Sequence, residues 1–409
     1  MSEPTALPTP PAIPASQALP ALPLQPADVW PALRTQLLVL QPTPFCNIDC
    51  SYCYLPQRND TRRMAPETLA LALLHLRQDG LLDAELGIVW HAGEPLVLPP
   101  AWYAIALAKA AAALQAHPVR VTHALQTNAT LVDETWCRFF LDHGVQLGVS
   151  IDGPAALHDR HRRTRRGGPT HASVMQGIRC LQAQQVPFHA IAVVTAETLA
   201  DPAAFFDWFE AQGIRELGCN IDEAEGAHAR SSLQDSAALE AAHAAFIEEG
   251  LRRHLAGRLV LRELAQAQQL LAAPLPRWGA GRSRWPANAQ VQPLALITVN
   301  VNGDWGSFSP ELPGQPWPQY GNFVLGNVHQ GGYLQALRGP VFERLWAGIA
   351  AGVQACESQC AYFEQCGGGA PANKLYEHGH LRGTETLYCR SMLQRPFAAV
   401  LRAAEAALR

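Results

Sequence analysis

Three cysteines have the residue type and spacing needed to hold an iron–sulfur cluster. They lie in the segment PFCNIDCSYCYLP as Cys46, Cys50 and Cys53, with the spacing C-x3-C-x2-C. A [4Fe–4S] cluster is commonly held by four cysteines, so three from one loop leave one iron open to another ligand. Zinc is the alternative. A zinc site usually takes four ligands in paired spacing, and no nearby His or Cys pair in the sequence completes one.

A second group of cysteines follows much later in the sequence. It comprises Cys356, Cys360 and Cys366, with the spacing C-x3-C-x5-C, and then Cys389. Four thiolates suit a fully ligated iron–sulfur cluster, and they also suit a zinc site with four cysteine ligands. The spacing alone leaves both open. The remaining cysteines are expected to be structural, because free cysteine is usually buried among apolar side chains; they are Cys137, Cys180 and Cys219.

The composition favours a non-secreted globular protein with a large core. The 409 residues are 48% hydrophobic and 16% charged, with a net charge of −4, which indicates neither a nucleic-acid nor an anionic-membrane partner. The segment MSEPTALPTPPAIPASQALPALPLQP lacks the basic and apolar regions of a signal peptide. No window of about 18 uncharged apolar residues predicts a membrane span. Clustered cysteines then indicate metal rather than disulfides, and we expect a cytoplasmic location.

The elements that must position the first cysteines form a repeating pattern between residues 35 and 270. Six apolar, strand-like segments alternate with helical segments, which is typical of a parallel sheet with helical crossovers. The strand-like segments are QLLVLQPT, LGIVWHA, VTHALQTN, QLGVSID, FHAIAVVT and ELGCNID. We therefore predict an α/β fold built on a partial (β/α)6 barrel of the TIM type, with its active site at the carboxyl ends of the strands.

Each predicted strand ends in polar residues. These are Thr43, His91–Glu94, Gln126–Asn128, Ser150–Asp152, Thr195 and Asn220–Glu223. Turn chemistry explains any one of these clusters taken alone. Six of them on one predicted face favour a functional site.

Changes in composition divide the chain into four predicted parts. Residues 1–34 form a Pro/Ala-rich flexible tail, and residues 35–274 form the partial barrel. Residues 275–290 read as a linker, and residues 291–409 form a loop-rich extension with a C-terminal helix. The extension begins with a predicted β-hairpin that turns at Asn302-Gly303. Its short loops contain little apolar material, so they need a metal to hold them.

Several motifs of the barrel resemble those of the radical S-adenosylmethionine (SAM) superfamily. The C-x3-C-x2-C loop has an aromatic residue before its third cysteine, and His91-Ala92-Gly93-Glu94-Pro95 resembles the Gly-Gly-Glu-Pro segment of that family. Gln126-Thr127-Asn128 and Ser150-Ile151-Asp152-Gly153 resemble the motifs of its third and fourth strands. The resemblance implies that SAM chelates the open iron and is cleaved to a 5′-deoxyadenosyl radical. The residues that it assigns to the SAM site are Tyr52, Gly93, Glu94, Asn128, Ser150, Asp152 and Arg162.

The second group of cysteines resembles the SPASM extension of radical SAM enzymes that modify peptides. The match includes Leu325–Val328 and the residues around the four cysteines. Ala370 stands where the family has a further cysteine, and the hairpin TVNVNGDWGSFSPEL contains none. The resemblance therefore implies one auxiliary [4Fe–4S] cluster rather than two, held by Cys356, Cys360, Cys366 and Cys389. It also implies a ribosomally made precursor peptide as substrate, and an external electron donor of the flavodoxin or ferredoxin type.

Within that group the chain most resembles the cyclophane-forming maturases of the Grr, Xye and Fxs class. The resemblance rests on His91, on the segment Asn220–Gly226 and on Ser309–Glu311. It implies removal of a β-hydrogen from a substrate residue and attack of the carbon radical on an aromatic ring. The adduct then loses a proton to a base and an electron, for which the auxiliary cluster offers one route. Acidic candidates for the base, suited to it if poised in a pocket, are Asp222, Glu223, Glu225 and Glu311.

Other products stay open within the same family. A thioether crosslink and an epimerised residue are two, and a formylglycine in a sulfatase is a third. The hairpin lacks the Cys-Asp pair typical of sulfatase maturases, which disfavours the third. A non-catalytic iron–sulfur or zinc scaffold is the alternative of another class. The intact motifs at Glu94, Asn128 and Ser150 argue against it, because a scaffold needs no SAM site.

Overall fold

The computed structural model describes residues 33–115, 117–234, 236–273 and 285–409. The predicted tail over 1–34 and the predicted linker over 275–290 lie mainly outside the described residues. None of the described helices is long and apolar enough to cross a membrane.

The described chain alternates strands and helices as far as residue 272. The strands are β1 (Leu37–Leu40), β2 (Ile48–Cys50), β3 (Glu85–Trp90), β4 (Arg120–Thr127), β5 (Gln146–Ser150), β6 (Arg162–Thr164), β7 (Phe188–Val194), β8 (Glu216–Ile221), β9 (Val260–Leu261), β10 (Leu296–Val299), β11 (Asp304–Ser307) and β12 (Gly326–Asn327). The helices are α1 (Pro66–Gln78), α2 (Pro100–Leu114), α3 (Glu134–His143), α4 (Ala155–His161), α5 (His171–Ala183), α6 (Pro202–Ala211), α7 (Ala237–Leu255), α8 (Arg262–Ala272), α9 (Pro340–Gln359), α10 (Phe363–Cys366), α11 (Pro371–His378) and α12 (Arg395–Ala407).

One sheet organises the molecule. Its strand order is β12-β11-β10-β1-β3-β4-β5-β7-β8-β9, and every pair from β10 to β9 is parallel. The six predicted strands are β1, β3, β4, β5, β7 and β8, which are neighbours in that order. The prediction of an α/β fold with a partial barrel of six β/α units is therefore confirmed.

Local sequence explains how the helices begin, end and face the sheet. Helix α3 begins after Asp133, whose carboxylate accepts from the Trp136 backbone N–H at 2.9 Å, and ends at Gly144 with a left-handed φ of 60°. Such caps satisfy backbone groups that have no partner within the helix. Its buried face includes Trp136 and Phe140. Trp136 packs edge-on against Tyr103 of α2, which closes the core between these helices.

The hairpin of the extension belongs to the same sheet as the barrel. Strands β10 and β11 pair antiparallel, as predicted, and Gly303 in their turn has a φ of 84°. Strand β10 pairs parallel with β1, and the Thr35 hydroxyl donates to the Leu294 carbonyl at 2.8 Å. This pairing could not be predicted from the sequence, because a hairpin pattern does not indicate which strand lies beside it. The extension therefore begins inside the sheet.

Candidate functional site

A cavity of about 610 Å³ lies where the carboxyl ends of the strands meet the extension. Its walls include the three cysteines of the first loop, the His91–Glu94 segment and parts of the extension around Glu311 and Asn373. The carboxyl ends of parallel strands in a barrel converge on one face, which explains how motifs distant in sequence come together. All of the predicted SAM-site and base residues except Asp152 line this one cavity. Asp222 is among them, but its carboxylate already has hydrogen-bond partners.

The first cysteine loop is held by a small second sheet and by arginines. Strand β2 pairs antiparallel with β6, which places Cys50 opposite Arg162. The guanidinium of Arg58 donates to the Cys50 carbonyl at 2.7 Å, and that of Arg165 donates to the Cys46 carbonyl at 2.8 Å. Neither arginine was predicted from the sequence to hold this loop. A loop held through its carbonyls keeps its thiols free for a metal.

The donors and charges around these thiols fit an iron–sulfur cluster. Burial raises the pKa of Cys46 to about 12, and the neighbouring carboxyl of Glu94 adds to that rise. Burial likewise raises the pKa of Cys50 to about 12, opposed by the positive charge of Arg162. A bound metal cation removes this penalty, because coordination deprotonates a thiol. The Asn128 amide also lies within 3.8 Å of the Cys46 sulfur.

Glu94 ties the ends of two strands together. It is buried and accepts from the Leu96 backbone N–H at 2.9 Å, the Thr127 hydroxyl at 2.6 Å and the Asn128 backbone N–H at 2.8 Å. Burial raises its pKa to about 7, although these hydrogen bonds act against the rise. Because its oxygens are occupied, the carboxylate positions the backbone that SAM is expected to contact.

The residues before Glu94 form a strained turn against the cysteine loop. Ala92 and Gly93 have left-handed φ values of 71° and 59°. A Cβ on Gly93 would lie 2.4 Å from the Thr43 carbonyl oxygen and 2.5 Å from that of Phe45. Glycine is therefore required at position 93, both for its conformation and for the close approach of two backbones.

Asn128 and Ser150 occupy the predicted strand ends. The Asn128 amide donates to the Asn47 side chain at 2.8 Å, and its carbonyl oxygen accepts from the Thr130 hydroxyl at 2.6 Å. These bonds link β4 to the cysteine loop. Ser150 ends β5 and lines the cavity.

Asp152, Arg162 and Tyr52 form a buried group beside the cluster loop. Arg162 donates two hydrogen bonds to Asp152, at 2.9 and 3.0 Å, and its guanidinium lies 5.4 Å from the centre of the Tyr52 ring. The Tyr52 hydroxyl donates to the same carboxylate. Arg162 and Tyr52 line the cavity, whereas Asp152 lies behind them. Although burial acts in the opposite direction, Arg162 keeps the pKa of Asp152 below its usual value. Asp152 thus positions the other two.

Three glutamates from two parts of the chain face the same cavity. Glu223 and Glu225 follow β8, and Glu311 follows the hairpin. Burial, together with the nearby Glu311, raises the pKa of Glu223 to about 8 and that of Glu225 well above its usual value. Burial raises the pKa of Glu311 to about 7. Groups of this kind exchange protons near neutral pH, as a general base must.

Asp222 differs from the three glutamates. Its carboxylate accepts from the Ser232 backbone N–H at 2.6 Å and lies 2.8 Å from Nε2 of His228. These partners lower its pKa, although burial alone would raise it. The structure therefore gives Asp222 a role in holding the loop after β8, which leaves the glutamates as candidate bases.

The C-terminal cysteines also have surroundings that suit thiolates. Cys356 ends the buried face of α9, and Cys360 follows one helical turn later. Burial raises the pKa of Cys366, and the neighbouring Cys389 and Cys356 add to it, whereas backbone N–H groups of the following glycines oppose it. The Thr386 hydroxyl donates to the Cys389 sulfur at 3.1 Å. Cys356, Cys366 and Cys389 thus lie close enough to affect one another, and a hydrogen-bond donor beside a thiolate suits a cluster ligand. Among the described residues, the thiols are not already gathered into a group that could hold a metal ion.

The other cysteines lie away from the cavity. Cys137 and Cys180 approach each other between α3 and α5, with 3.6 Å between their sulfurs. Cys219 is buried on β8, where its backbone N–H donates to the Glu263 carboxylate at 3.1 Å. None of the three lines the cavity.

Comparison with known proteins identifies the class. The Radical SAM superfamily matches residues 40–209. An uncharacterised protein of Synechocystis sp. is 33% identical over 379 residues, which cover 91% of this chain and 93% of that protein. The chain therefore belongs to the radical SAM superfamily and is an enzyme. Its cofactors are SAM and a [4Fe–4S] cluster, and the four C-terminal cysteines are candidate ligands of an auxiliary cluster.

More distant relatives include maturation enzymes. A serine-type anaerobic sulfatase-maturating enzyme of Klebsiella aerogenes is 37% identical over 201 residues, 47% of this chain and 48% of that protein. The chain thus matches about half the length of this relative. The structure of anSMEcpe with bound AdoMet and Cp18Cys peptide has a TM-score of 0.71 at 17% identity, over 91% of this chain and 99% of that one. Streptococcus suis SuiB bound to precursor peptide SuiA gives 0.59 at 14% identity, over 87% and 76%. These two share the fold.

Several residues of the site were not predicted from the sequence. Tyr54, Arg262, Asn373 and Tyr388 line the cavity. Tyr54 follows Cys53 directly, which was a usable signal. Tyr388 precedes Cys389 in the segment that resembles the SPASM extension, although no role in the cavity was predicted for it. Arg262 and Asn373 belong to no motif, so only their packing reveals them.

Proposed function

We propose that this enzyme modifies a ribosomally made precursor peptide, by forming a carbon–carbon bond between an aromatic ring and the β-carbon of a nearby residue. The observation that carries the proposal is the cavity itself. The cluster loop lies in one part of its wall, and three glutamates whose pKa values are raised by burial lie in the same wall. Peptides are bound in the related structures of anSMEcpe and SuiB, which supports a peptide as the class of substrate. Residues of both the barrel and the extension line the cavity, so a peptide bound there would contact both.

Together, the cluster and SAM supply a radical that removes a hydrogen atom from the substrate. The chain's own residues do the rest. The Asp152–Arg162–Tyr52 group and the Ala92–Gly93 turn hold the cofactor side of the cavity in place. Crosslinking removes two hydrogens in all: one as the atom taken first, the other as a proton and an electron. A glutamate among Glu223, Glu225 and Glu311 accepts the proton, and an electron acceptor takes the electron.

The proposed reaction also needs a source of electrons for the cluster. We place the enzyme in the cytoplasm, where reduced flavodoxin-like or ferredoxin-like donors are available. The surface charge gives no reason to expect nucleic acid as a partner.

Mass spectrometry tests the reaction. A short peptide encoded beside this gene is co-expressed with the enzyme without oxygen, and with a control enzyme carrying Cys46→Ala, Cys50→Ala and Cys53→Ala. A loss of two hydrogens that needs the three cysteines and survives thiol reagents supports the crosslink. An unchanged peptide mass with SAM still cleaved contradicts it.

A second product is favoured by one observation, the match to serine-type sulfatase maturases. Oxidation of serine to formylglycine also removes two hydrogens, so mass alone does not separate it from a crosslink. An aldehyde reacts with a hydrazide reagent and a cyclophane does not. Labelling of the peptide by the hydrazide therefore favours formylglycine. A peptide that does not react with the hydrazide, and does not fragment between the two crosslinked residues, favours the crosslink.

Substitution of the glutamates tests the base. Glu311→Gln, Glu225→Gln and Glu223→Gln are compared with Glu364→Gln, which changes an exposed residue. Loss of the base lowers the rate of peptide modification about 100-fold, the usual contribution of general base catalysis, while SAM cleavage continues. If all three variants modify the peptide at the rate of Glu364→Gln, these carboxylates are not the base.

A further inference from the structure

A single buried lysine contacts the auxiliary cysteines. The sequence has two lysines, Lys109 and Lys374, among 31 lysines and arginines. Lys374 lies on α11 with only 3% of its surface exposed. Its ammonium donates to the Gly352 carbonyl at 2.9 Å and to the Cys356 sulfur at 3.2 Å.

Burial of an ammonium group is unfavourable unless a counter-charge accompanies it. Among the ion pairs of the described residues, Lys374 has no carboxylate partner, whereas Lys109 pairs with Glu67 at 3.0 Å. A cluster bound by the auxiliary cysteines would supply that negative charge, because coordination deprotonates the thiols.

The backbone around Lys374 is shaped to admit it. A Cβ on Gly352 would lie 3.1 Å from the Lys374 nitrogen and 2.3 Å from the Leu381 carbonyl oxygen. A Cβ on Gly369 would lie 3.8 Å from the Lys374 side chain and 3.7 Å from the Cys389 sulfur. Glycines at both positions leave space for a long side chain to reach the sulfurs.

We propose that Lys374 is a positioning residue that raises the reduction potential of the auxiliary cluster through a charged hydrogen bond to Cys356. Reduction adds one negative charge to a cluster, and a fixed positive charge with an N–H···S bond stabilises that form. A cluster tuned in this way accepts an electron more readily than one held by cysteines alone.

The position of Lys374 in the chain connects this tuning to the cavity. The preceding residue, Asn373, lines the cavity and donates to the Glu223 carboxylate. The same turn of α11 thus contacts a candidate base on one side and a cluster ligand on the other. Use of this arrangement during turnover rests on the proposed function; the effect of Lys374 on the potential does not.

Redox titration of the reconstituted full-length protein tests the inference. Cys46→Ala, Cys50→Ala and Cys53→Ala leave only the auxiliary cluster to be observed. In that background, Lys374→Met is expected to lower the ratio of reduced to oxidised cluster about tenfold at a fixed applied potential. For a one-electron couple this is a fall of about 59 mV in the reduction potential of the cluster. Lys374→Arg retains the positive charge, so its cluster should have a reduction potential close to that of the parent protein. The control Lys109→Met should also leave the potential unchanged. An unchanged potential in Lys374→Met, with full iron content, overturns the proposal.

A spectroscopic measurement covers the case in which Lys374→Met fails to hold the cluster. Protein with the native lysines is labelled with lysine carrying ¹⁵N at the side-chain nitrogen, and the reduced auxiliary cluster is examined by pulsed EPR. A ¹⁵N coupling that disappears on labelling Lys374→Arg, but persists in Lys109→Met, supports the bond. Absence of any ¹⁵N coupling in the parent overturns it. Both measurements use no peptide, so failure of the proposed peptide reaction leaves their outcome unaffected.

Discussion

Gly93 is the residue at which the SAM site depends most directly on backbone shape. Gly93→Ala adds a methyl group within 2.5 Å of two carbonyl oxygens, so the turn or the cysteine loop must shift. We expect this variant to show no measurable SAM binding by calorimetry. Its free energy of unfolding should fall by more than the roughly 1–2 kcal/mol that a left-handed alanine alone would cost.

Gly144→Ala is the matched control for this change. Gly144 has a φ of 60°, close to the 59° of Gly93, but a Cβ there meets nothing within 4 Å. This variant is expected to show the conformational strain alone and to bind SAM normally. Equal SAM affinity in both variants would contradict the role of the close approach.

The candidate bases also predict how the rate depends on pH. Burial raises the pKa of Glu311 to about 7 and that of Glu223 to about 8, so the carboxylate form increases between pH 6 and pH 9. Only that form accepts a proton, and peptide modification should therefore accelerate with pH across this range. Rates measured at saturating peptide, with SAM cleavage followed in parallel, check this. A rate that falls between pH 6 and pH 8 would contradict it.

At the scale of elements, the pairing of β10 with β1 makes the extension part of the barrel. Without β10, β1 becomes an edge strand with unpaired backbone groups and a buried, apolar sequence, which is a template for aggregation. A chain that ends at residue 273 is expected to aggregate, whereas the full chain does not. Light scattering of the two purified proteins checks this. A monomeric, cooperatively folding fragment would show that the barrel is independent.

The small sheet of β2 and β6 is the second element that matters for the site. It joins the cysteine loop to the segment that carries Arg162. The sequence does not predict this sheet, because strands of three residues leave no periodic pattern. Only pairing distinguishes Arg162, which is buried, from the arginines next to it.

For the whole molecule, the cysteine sets predict the iron content. Reconstituted enzyme is expected to bind about eight irons if both clusters are [4Fe–4S], and replacement of Cys46, Cys50 and Cys53 by alanine should leave about four. Iron analysis alongside protein quantification measures both. About twelve irons per chain, or tightly bound zinc, would contradict the assignment of one auxiliary cluster.

The glutamates of the cavity also affect the stability of the whole chain. Their folded-state pKa values lie above the unfolded ones, so their contribution is fully present below about pH 4.5 and is lost as the pH rises through 7 to 8. Glu311→Gln removes a group that must ionise in a buried place. Relative to the parent, this variant should melt at a higher temperature at pH 9 but not at pH 5. A difference that is the same at both pH values would contradict the raised pKa.

The sequence by itself determined the class of chemistry and most of the barrel. Ligand spacing in the Cys46–Cys53 loop is local, and the alternation of apolar strands with helices is local too, so both are readable from the chain. Helix α3 (Glu134–His143) likewise lies between two local signals, Asp133 at its start and Gly144 at its end. Motif residues at the strand ends were also found, since their positions follow from the strands.

Only the tertiary structure decided which of these residues face the cavity and which hold its walls in place. Asp222 and Glu223 are adjacent in sequence, yet one is bonded to its own loop and the other faces the cavity. Glu223 meets Asn373, 150 residues later, and Lys374 meets Cys356 from another helix. Such contacts, and the burial that shifts a pKa, arise from packing between distant segments, which no local pattern encodes.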